Sequence, residues 1–190
     1  MNKQPVNKNW FEQLHTNKDY WNDFKVLRQL ASTTEIVADF GCFSSEPFAL
    51  LWLLDASEVV VIEIKEQHII RRGEEKVEHQ ETIPDAFDGR TVNFIQADMT
   101  KRVSELPEKS FDLAFCERTL MSLDTAIEVQ DAINEMASVI KPGGILIAIE
   151  SMPDDMGNPR DISYMFERAG LIKFTLVEAP EKTYSYTKPH

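Results

Sequence analysis

Five short apolar runs constrain this chain more than any other feature. Residues 35–40, 59–64, 91–96, 111–116 and 145–150 are rich in β-branched and aromatic side chains, and helical or turn-forming stretches separate them. Runs of that length with little alternation read as strands buried on both faces, and strands alternating with helices read as a mostly parallel sheet with helices packed on each side. Boundary signals support the alternation. Ser44-Ser45-Glu46-Pro47 precedes the apolar stretch 48–54, where a serine cap and an early proline mark a helix start. The stripe Ile127, Ile133, Met136, Ala137 and Ile140 predicts a helix that stops at Lys141-Pro142-Gly143-Gly144, because proline cannot continue a helix and glycine supplies the reversal. Charged residues 66–80 predict another helix, as do 160–169, ending at Gly170. Residues 171–177 and 183–188 complete the strands; too few residues separate them for a crossover, so they must form an antiparallel hairpin.

Organisation and charge narrow the function classes. The chain shows no repeat, low-complexity tract or linker, and 190 residues fit one domain: a leading helical segment or lid over 1–31 and a core over 35–188. A formal charge of −12 disfavours binding to nucleic acid or to anionic membranes. No apolar run is long enough for a membrane helix, and the first residues lack a signal-peptide core, so the expected location is cytoplasmic. The two cysteines, Cys42 and Cys116, are read as reduced thiols, with a redox- or metal-sensing pair as the sharper alternative. His15, His68, His79 and His190 lack metal-ligand spacing and are read as surface residues; no metal is expected.

In an open α/β sheet ligands bind beyond the carboxyl ends of the strands, where strand order reverses. Those ends here carry Asp39-Phe40-Gly41-Cys42-Phe43, Glu63, Ala97-Asp98-Met99 and Cys116-Glu117-Arg118. The distance along the chain from Asp39 to Glu63 suits one strand-helix-strand unit, and a carboxylate in the position of Glu63 can accept two hydrogen bonds from a vicinal diol such as ribose. Asp98 can accept from an adenine amino group while Met99 lies against the base.

The ordered set of Val37-Ala-Asp-Phe-Gly-Cys42, Glu63, Gln96-Ala-Asp-Met99, Phe111-Asp-Leu-Ala-Phe115 and Ile140-Lys-Pro-Gly-Gly-Ile-Leu146 resembles the class I S-adenosylmethionine-dependent methyltransferases. The resemblance implies an α/β three-layer sandwich with a mostly parallel seven-stranded sheet of order 3-2-1-4-5-7-6, the last hairpin antiparallel. It also implies S-adenosylmethionine as cofactor, held by Asp39, Gly41, Cys42 and Phe43 around the methionine part, Glu63 at the ribose and Asp98 and Met99 at the adenine. Cys116 and Glu117 would lie near the methionine end. The implied reaction moves a methyl group to a nucleophilic N, O or S atom of a small acceptor. Glu117 is the candidate for acceptor binding or proton removal, helped by Arg118 or Tyr20, with helix capping as its alternative role. A partner protein or a second copy of the chain is a further option for completing the pocket.

The first motif departs from the family's glycine pattern. Phe43 and Ser45 stand where two further glycines are usual, and a β-carbon obstructs both close backbone approach and positive φ. Either the loop takes another course, or cofactor binding is weakened and the chain is a non-catalytic binding or scaffold protein on the same fold. A nicotinamide dehydrogenase is a distant third reading, because Gly41-Cys-Phe-Ser-Ser-Glu46 lacks two glycines and Glu46 would repel a pyrophosphate. Trp10, Phe11, Tyr20 and Trp21 are read as anchors of the leading helix, with a lid role as the alternative.

Overall fold

The computed structural model describes residues 26–31, 33–41, 50–51, 53–64, 90–150, 161–176 and 183–190. Strands β1 (Ile36–Phe40), β2 (Glu58–Glu63), β3 (Thr91–Gln96) and β4 (Phe111–Glu117) precede helix α1 (Ala126–Val139), strand β5 (Ile140–Ile149), helix α2 (Ser163–Arg168) and strands β6 (Ile172–Lys173) and β7 (Thr183–Thr187). They form one seven-stranded sheet, ordered β3-β2-β1-β4-β5-β7-β6. The pairs among β1 to β5 are parallel, and β7 runs antiparallel to both β5 and β6. Both the α/β architecture and the strand order match the expectation from sequence.

Alternation of side chains puts one core on each face of the sheet. On one face Ala38, Phe40, Ile62, Ala114, Cys116, Leu146 and Ala148 pack with Ile133 and Met136 of α1 and Phe166 of α2. On the other, Val37, Val61, Leu113, Phe115 and Ile147 pack with Leu27, Leu50 and Leu54. Each fully buried leucine, isoleucine or phenylalanine contributes roughly 1.5–3 kcal/mol relative to exposure, so the two cores hold the central strands firmly. Phe166 stacks on Tyr184 and Tyr186 with ring centroids 5.5 and 4.7 Å apart, fastening α2 to β7. Among the described residues no helix is long and apolar enough to cross a membrane.

Helix α1 starts with a capping box in which Thr125 and Glu128 satisfy each other's backbone amides. Three boundaries differ from the sequence expectation. Ile127 is expected in the periodic stripe, yet it is exposed, because nine residues before Met136 is about two and a half turns and puts it on the outer face of α1. Pairing of β5 begins at Ile140 opposite Phe111 rather than at residue 145, and resumes at Ile145 opposite Leu113, so the register shifts across residues 141–144 of β5. The Lys188 ammonium donates to the carbonyls of Ala137 and Ile140 and so closes the helix there. Strand β6 has two residues rather than the span 171–177, since the pairing with β7 covers only Ile172 and Lys173. The expected helices over 48–54 and 160–169 are only partly within the described residues: residues 50, 51, 53 and 54 and Ser163–Arg168 are helical. The expected helix 66–80 and most of the leading segment, with Trp10, Phe11, Tyr20 and Trp21, lie outside the described residues, as do His15, His68 and His79.

Asp112 organises the end of the sheet opposite the strand carboxyl ends. Its Oδ2 accepts from the amides of Glu35 and Ile36 at 3.0 and 2.9 Å, and its Oδ1 pairs with the Lys141 ammonium. Burial opposes the charge, but the Lys141 contact and the two amides outweigh it and hold the carboxyl below its ordinary value of 3.8. A depressed folded pKa stabilises the fold above the unfolded value and loses that contribution as pH falls through the folded one. Asp112→Asn should therefore cost about 1–3 kcal/mol at pH 7. In urea denaturation the gap from wild type should narrow below about pH 4; an equal gap at every pH would contradict the ionised role.

Candidate functional site

Strand order reverses between β1 and β4, since β2 and β3 lie to one side of β1 and β4 and β5 to the other. A cavity of about 270 Å³ opens beyond the carboxyl ends at this point. Its walls include Gly41 after β1, Ile62 to Ile64 at the end of β2, Ala97 to Met99 after β3, and Glu117 to Thr119 at the end of β4.

Register sets the spacing of the charged groups. Phe40 is level with Ile62, and Asp39 with Phe115, so Gly41 is level with Glu63 on one side and with Glu117 on the other. At roughly 4.8 Å between neighbouring strands the two glutamate Cα atoms flank Gly41 about 10 Å apart. Val61 and Phe115, each two residues earlier, belong to the same core, so Glu63 and Glu117 project to the same face. Both are nearly buried, at 8% and 2% exposure. Arg118, the one cation among the described lining residues, has its Nε 3.5 Å from Glu117 Oε1. Two acids flanking a glycine, with Asp98 beside them, make a negatively charged cavity suited to a cationic ligand.

Asp98 has most of its acceptor positions already engaged. Its Oδ1 accepts from the Thr100 amide at 3.0 Å and the Thr100 hydroxyl at 2.7 Å, and its Oδ2 meets Lys101 Nζ at 2.8 Å. The bonds from Lys101 and Thr100 lower its pKa to about 2, so it is ionised at neutral pH. About four acceptor positions on a carboxylate less these three leave one for a ligand donor.

The turn after β4 closes the cavity and has the strongest local constraints. Gly41 has φ +73°, and a β-carbon there would lie 2.2 Å from Thr119 Cγ2 and 2.5 Å from its Oγ1. Glycine at position 41 thus serves an internal contact as well as any ligand. Thr119 Oγ1 lies 3.0 Å from the carbonyl oxygens of both Gly41 and Glu117, so its one proton ties the end of β1 to that of β4. Arg118 has φ +50°, a left-handed conformation costing a non-glycine residue roughly 1–3 kcal/mol that persists where neighbours over-determine it. The Arg118 amide donates to Ile149 O at 2.9 Å, which is one such restraint.

Glu150, one residue past β5, is a site residue the sequence reading missed. Its buried carboxylate accepts from the amides of Thr119, Leu120 and Met121 at 2.9, 2.9 and 3.2 Å. Burial raises its pKa, partly offset by those bonds. The strand-end rule that selected Glu63 and Glu117 selects Glu150 as well, once applied to the fifth strand.

The structure brings Gly41, Glu63, Asp98, Met99 and Glu117 to one cavity. Asp39 is fully buried one row beneath it. Cys116 is also fully buried and does not line the cavity: its neighbour Glu117 takes the cavity face, so Cys116 turns to the opposite core and places its Sγ 3.7 Å from Glu150 Oε1. Burial, then the charges of Glu150, Asp39 and Glu117, pushes its pKa well above the ordinary thiol range. Cys42, Phe43 and Ser45 lie outside the described residues, as does the proposed thiol pair with them. No cluster with metal-ligating geometry occurs among the described residues.

A family model described as a methyltransferase domain matches residues 38–148, more than half of the 190 residues. No curated protein sequence matches the chain. Among solved structures, the N-methyltransferase NodS of Bradyrhizobium japonicum in complex with S-adenosyl-L-homocysteine superposes with a TM-score of 0.68 at 16% identity, over 97% of this chain and 94% of that one. The sugar N-methyltransferase KedS8 of a Streptoalloteichus species gives 0.66 at 12% identity, over 100% and 96%. The 4+2 cyclase SpnF gives 0.64 at 16% identity, over 87% and 81%. At such identities the likeness establishes the fold, and the cyclase shows that the fold carries more than one chemistry. Family match, strand order and strand-end cavity agree: the chain belongs to the methyltransferase domain family of the class I, S-adenosylmethionine-dependent type.

Proposed function

We propose that the strand-end cavity binds S-adenosylmethionine and that the chain transfers its methyl group to an N, O or S atom of a small acceptor, with the cytoplasm as the expected compartment. The observation that carries this reading is the level placement of Glu63 and Glu117 on either side of Gly41, on one face of the sheet. The donor set fits the cofactor. Glu63 can take both ribose hydroxyls, Asp98 has one acceptor position for the adenine amino group, and buried Met99 offers an apolar wall. The absence of a side chain at Gly41 lets backbone approach the methionine part, and Asp39 supports that loop from below. Direct contact by Cys116 has no support in this geometry. A net negative cavity suits a sulfonium and opposes a pyrophosphate, which disfavours the nicotinamide alternative.

When bound, S-adenosylmethionine supplies an electrophilic methyl group whose positively charged sulfur already activates the departing thioether. What remains for the chain is to place the acceptor in line and exclude water. Glu117, at the end of β4 and 2% exposed, is placed to hold an acceptor N–H, O–H or S–H and to take its proton when one must leave. Glu117→Gln should leave S-adenosylhomocysteine affinity within about threefold and reduce turnover on a panel of small amines, alcohols and thiols by roughly 100-fold or more. Unchanged turnover would remove Glu117 from the reaction.

Thermal unfolding with S-adenosylmethionine, S-adenosylhomocysteine and NAD tests the reading. At 100 times Kd a ligand adds about 2.7 kcal/mol, so the first two should raise the midpoint by several degrees and NAD should not. Phe43 and Ser45 motivate the second reading, a binding or scaffold protein with a weakened cofactor grip, and the absence of any shift would favour it.

A further inference from the structure

The turn Leu120–Ser122 begins in an unusual way. Thr119 occupies its N-cap position, yet the Thr119 side chain makes no capping bond. Its hydroxyl is turned instead toward the carbonyls of Gly41 and Glu117, where it joins β1 to β4 at the cavity wall. Three successive amides at the start of the turn converge instead on Glu150, from a different strand: Oε1 accepts from Thr119 and Leu120, and Oε2 from Met121. Buried Cys116 adds its thiol, 3.7 Å from Oε1. Glu150 itself is absent from the cavity lining.

We infer that Glu150 is a positioning residue: its carboxylate caps the turn after β4 in place of Thr119, which frees Thr119 to lock Gly41 and holds Arg118 in its left-handed conformation, so that Glu117, Arg118 and Thr119 face the ligand. Ligand affinity in the cavity then depends on a side chain that never touches the ligand. The inference rests on the cofactor reading above for its consequence, though not for its geometry. Both oxygens of the carboxylate are needed. In Glu150→Gln one oxygen becomes an NH₂ group, a donor facing the amide donors of the turn.

A matched control exists at the opposite end of the sheet. Asp112 is also a buried carboxylate that accepts two backbone amides, from Glu35 and Ile36, far from the cavity. The experiment compares wild type, Glu150→Gln and Asp112→Asn by thermal unfolding, by calorimetric titration with S-adenosylhomocysteine, and by amide hydrogen exchange. Both variants should lower the unfolding midpoint. Glu150→Gln alone should weaken S-adenosylhomocysteine binding at least tenfold and speed exchange at residues 119–121 at least tenfold, while Asp112→Asn keeps affinity within twofold. Affinity within twofold of wild type in Glu150→Gln, or an equal loss in Asp112→Asn, would overturn the inference. If wild type itself binds no S-adenosylhomocysteine, the cofactor reading falls separately; the inference then rests on exchange, where unaltered protection at 119–121 in Glu150→Gln overturns it and lost protection supports it. Should Glu150→Gln fail to fold, Glu150→Asp, which keeps both oxygens one methylene short, is read by the same measurements and limits.

Discussion

Gly41→Ala should lower the unfolding free energy by about 2–5 kcal/mol. Two costs combine. The backbone at φ +73° is strained for any residue with a β-carbon, and the new carbon would sit 2.2 to 2.9 Å from three atoms of Thr119. The threonine cannot simply step aside, because its hydroxyl bridges two carbonyls and its amide is held by Glu150. Gly170→Ala isolates the first cost, since φ there is +78° and nothing lies within 4 Å of the added carbon. That variant should lose only about 1–2 kcal/mol in urea denaturation. Thr119→Gly in the Gly41→Ala background should recover part of the difference, a coupling that independent sites would not show. Equal losses in the two alanine variants would mean that the Thr119 contact contributes nothing.

Glu63→Ala should weaken S-adenosylhomocysteine binding by roughly 100-fold while leaving the fold close to intact. Hydrogen bonds to a charged group contribute about 1.5–3 kcal/mol each, and two of them less the cost of desolvating the carboxylate leave about 3 kcal/mol. Backbone bonds hold the strand end: Glu63 pairs with Gln96, and its carbonyl accepts from the Ala97 amide at 3.0 Å. Calorimetric titration gives the affinity and thermal unfolding gives the control. Affinity within threefold of wild type would take Glu63 out of the site.

The central strands were legible because burial on both faces leaves an unbroken apolar run, as in Glu58–Glu63 and Phe111–Glu117. Ends were less legible. Ile127 is apolar, yet helical spacing sets it about half a turn away from Met136, so it faces outward from α1. The early start of β5 follows from pairing with Phe111, a long-range contact. Strand-end position put Glu63, Asp98, Met99 and Glu117 along one cavity, since a parallel sheet brings all its carboxyl ends together. The same rule put Cys116 beside Glu117, although adjacent residues on a strand face opposite ways, and strand parity alone would have separated them. Glu150 was legible by the strand-end rule at the fifth strand, whereas Thr119 escaped because its bonds reach Gly41 and Glu150, far along the chain, from a turn with no periodic signature.

The central claim is that the strand-end cavity holds S-adenosylmethionine with its ribose on Glu63. A crystal structure of the protein grown with S-adenosylhomocysteine tests it most directly. The account predicts the ligand above Gly41, both ribose hydroxyl oxygens within about 2.6–3.2 Å of the Glu63 carboxylate, and the adenine beside Asp98 and Met99. An empty cavity at saturating ligand, or a ligand bound away from the ends of β1, β2 and β4, would contradict it.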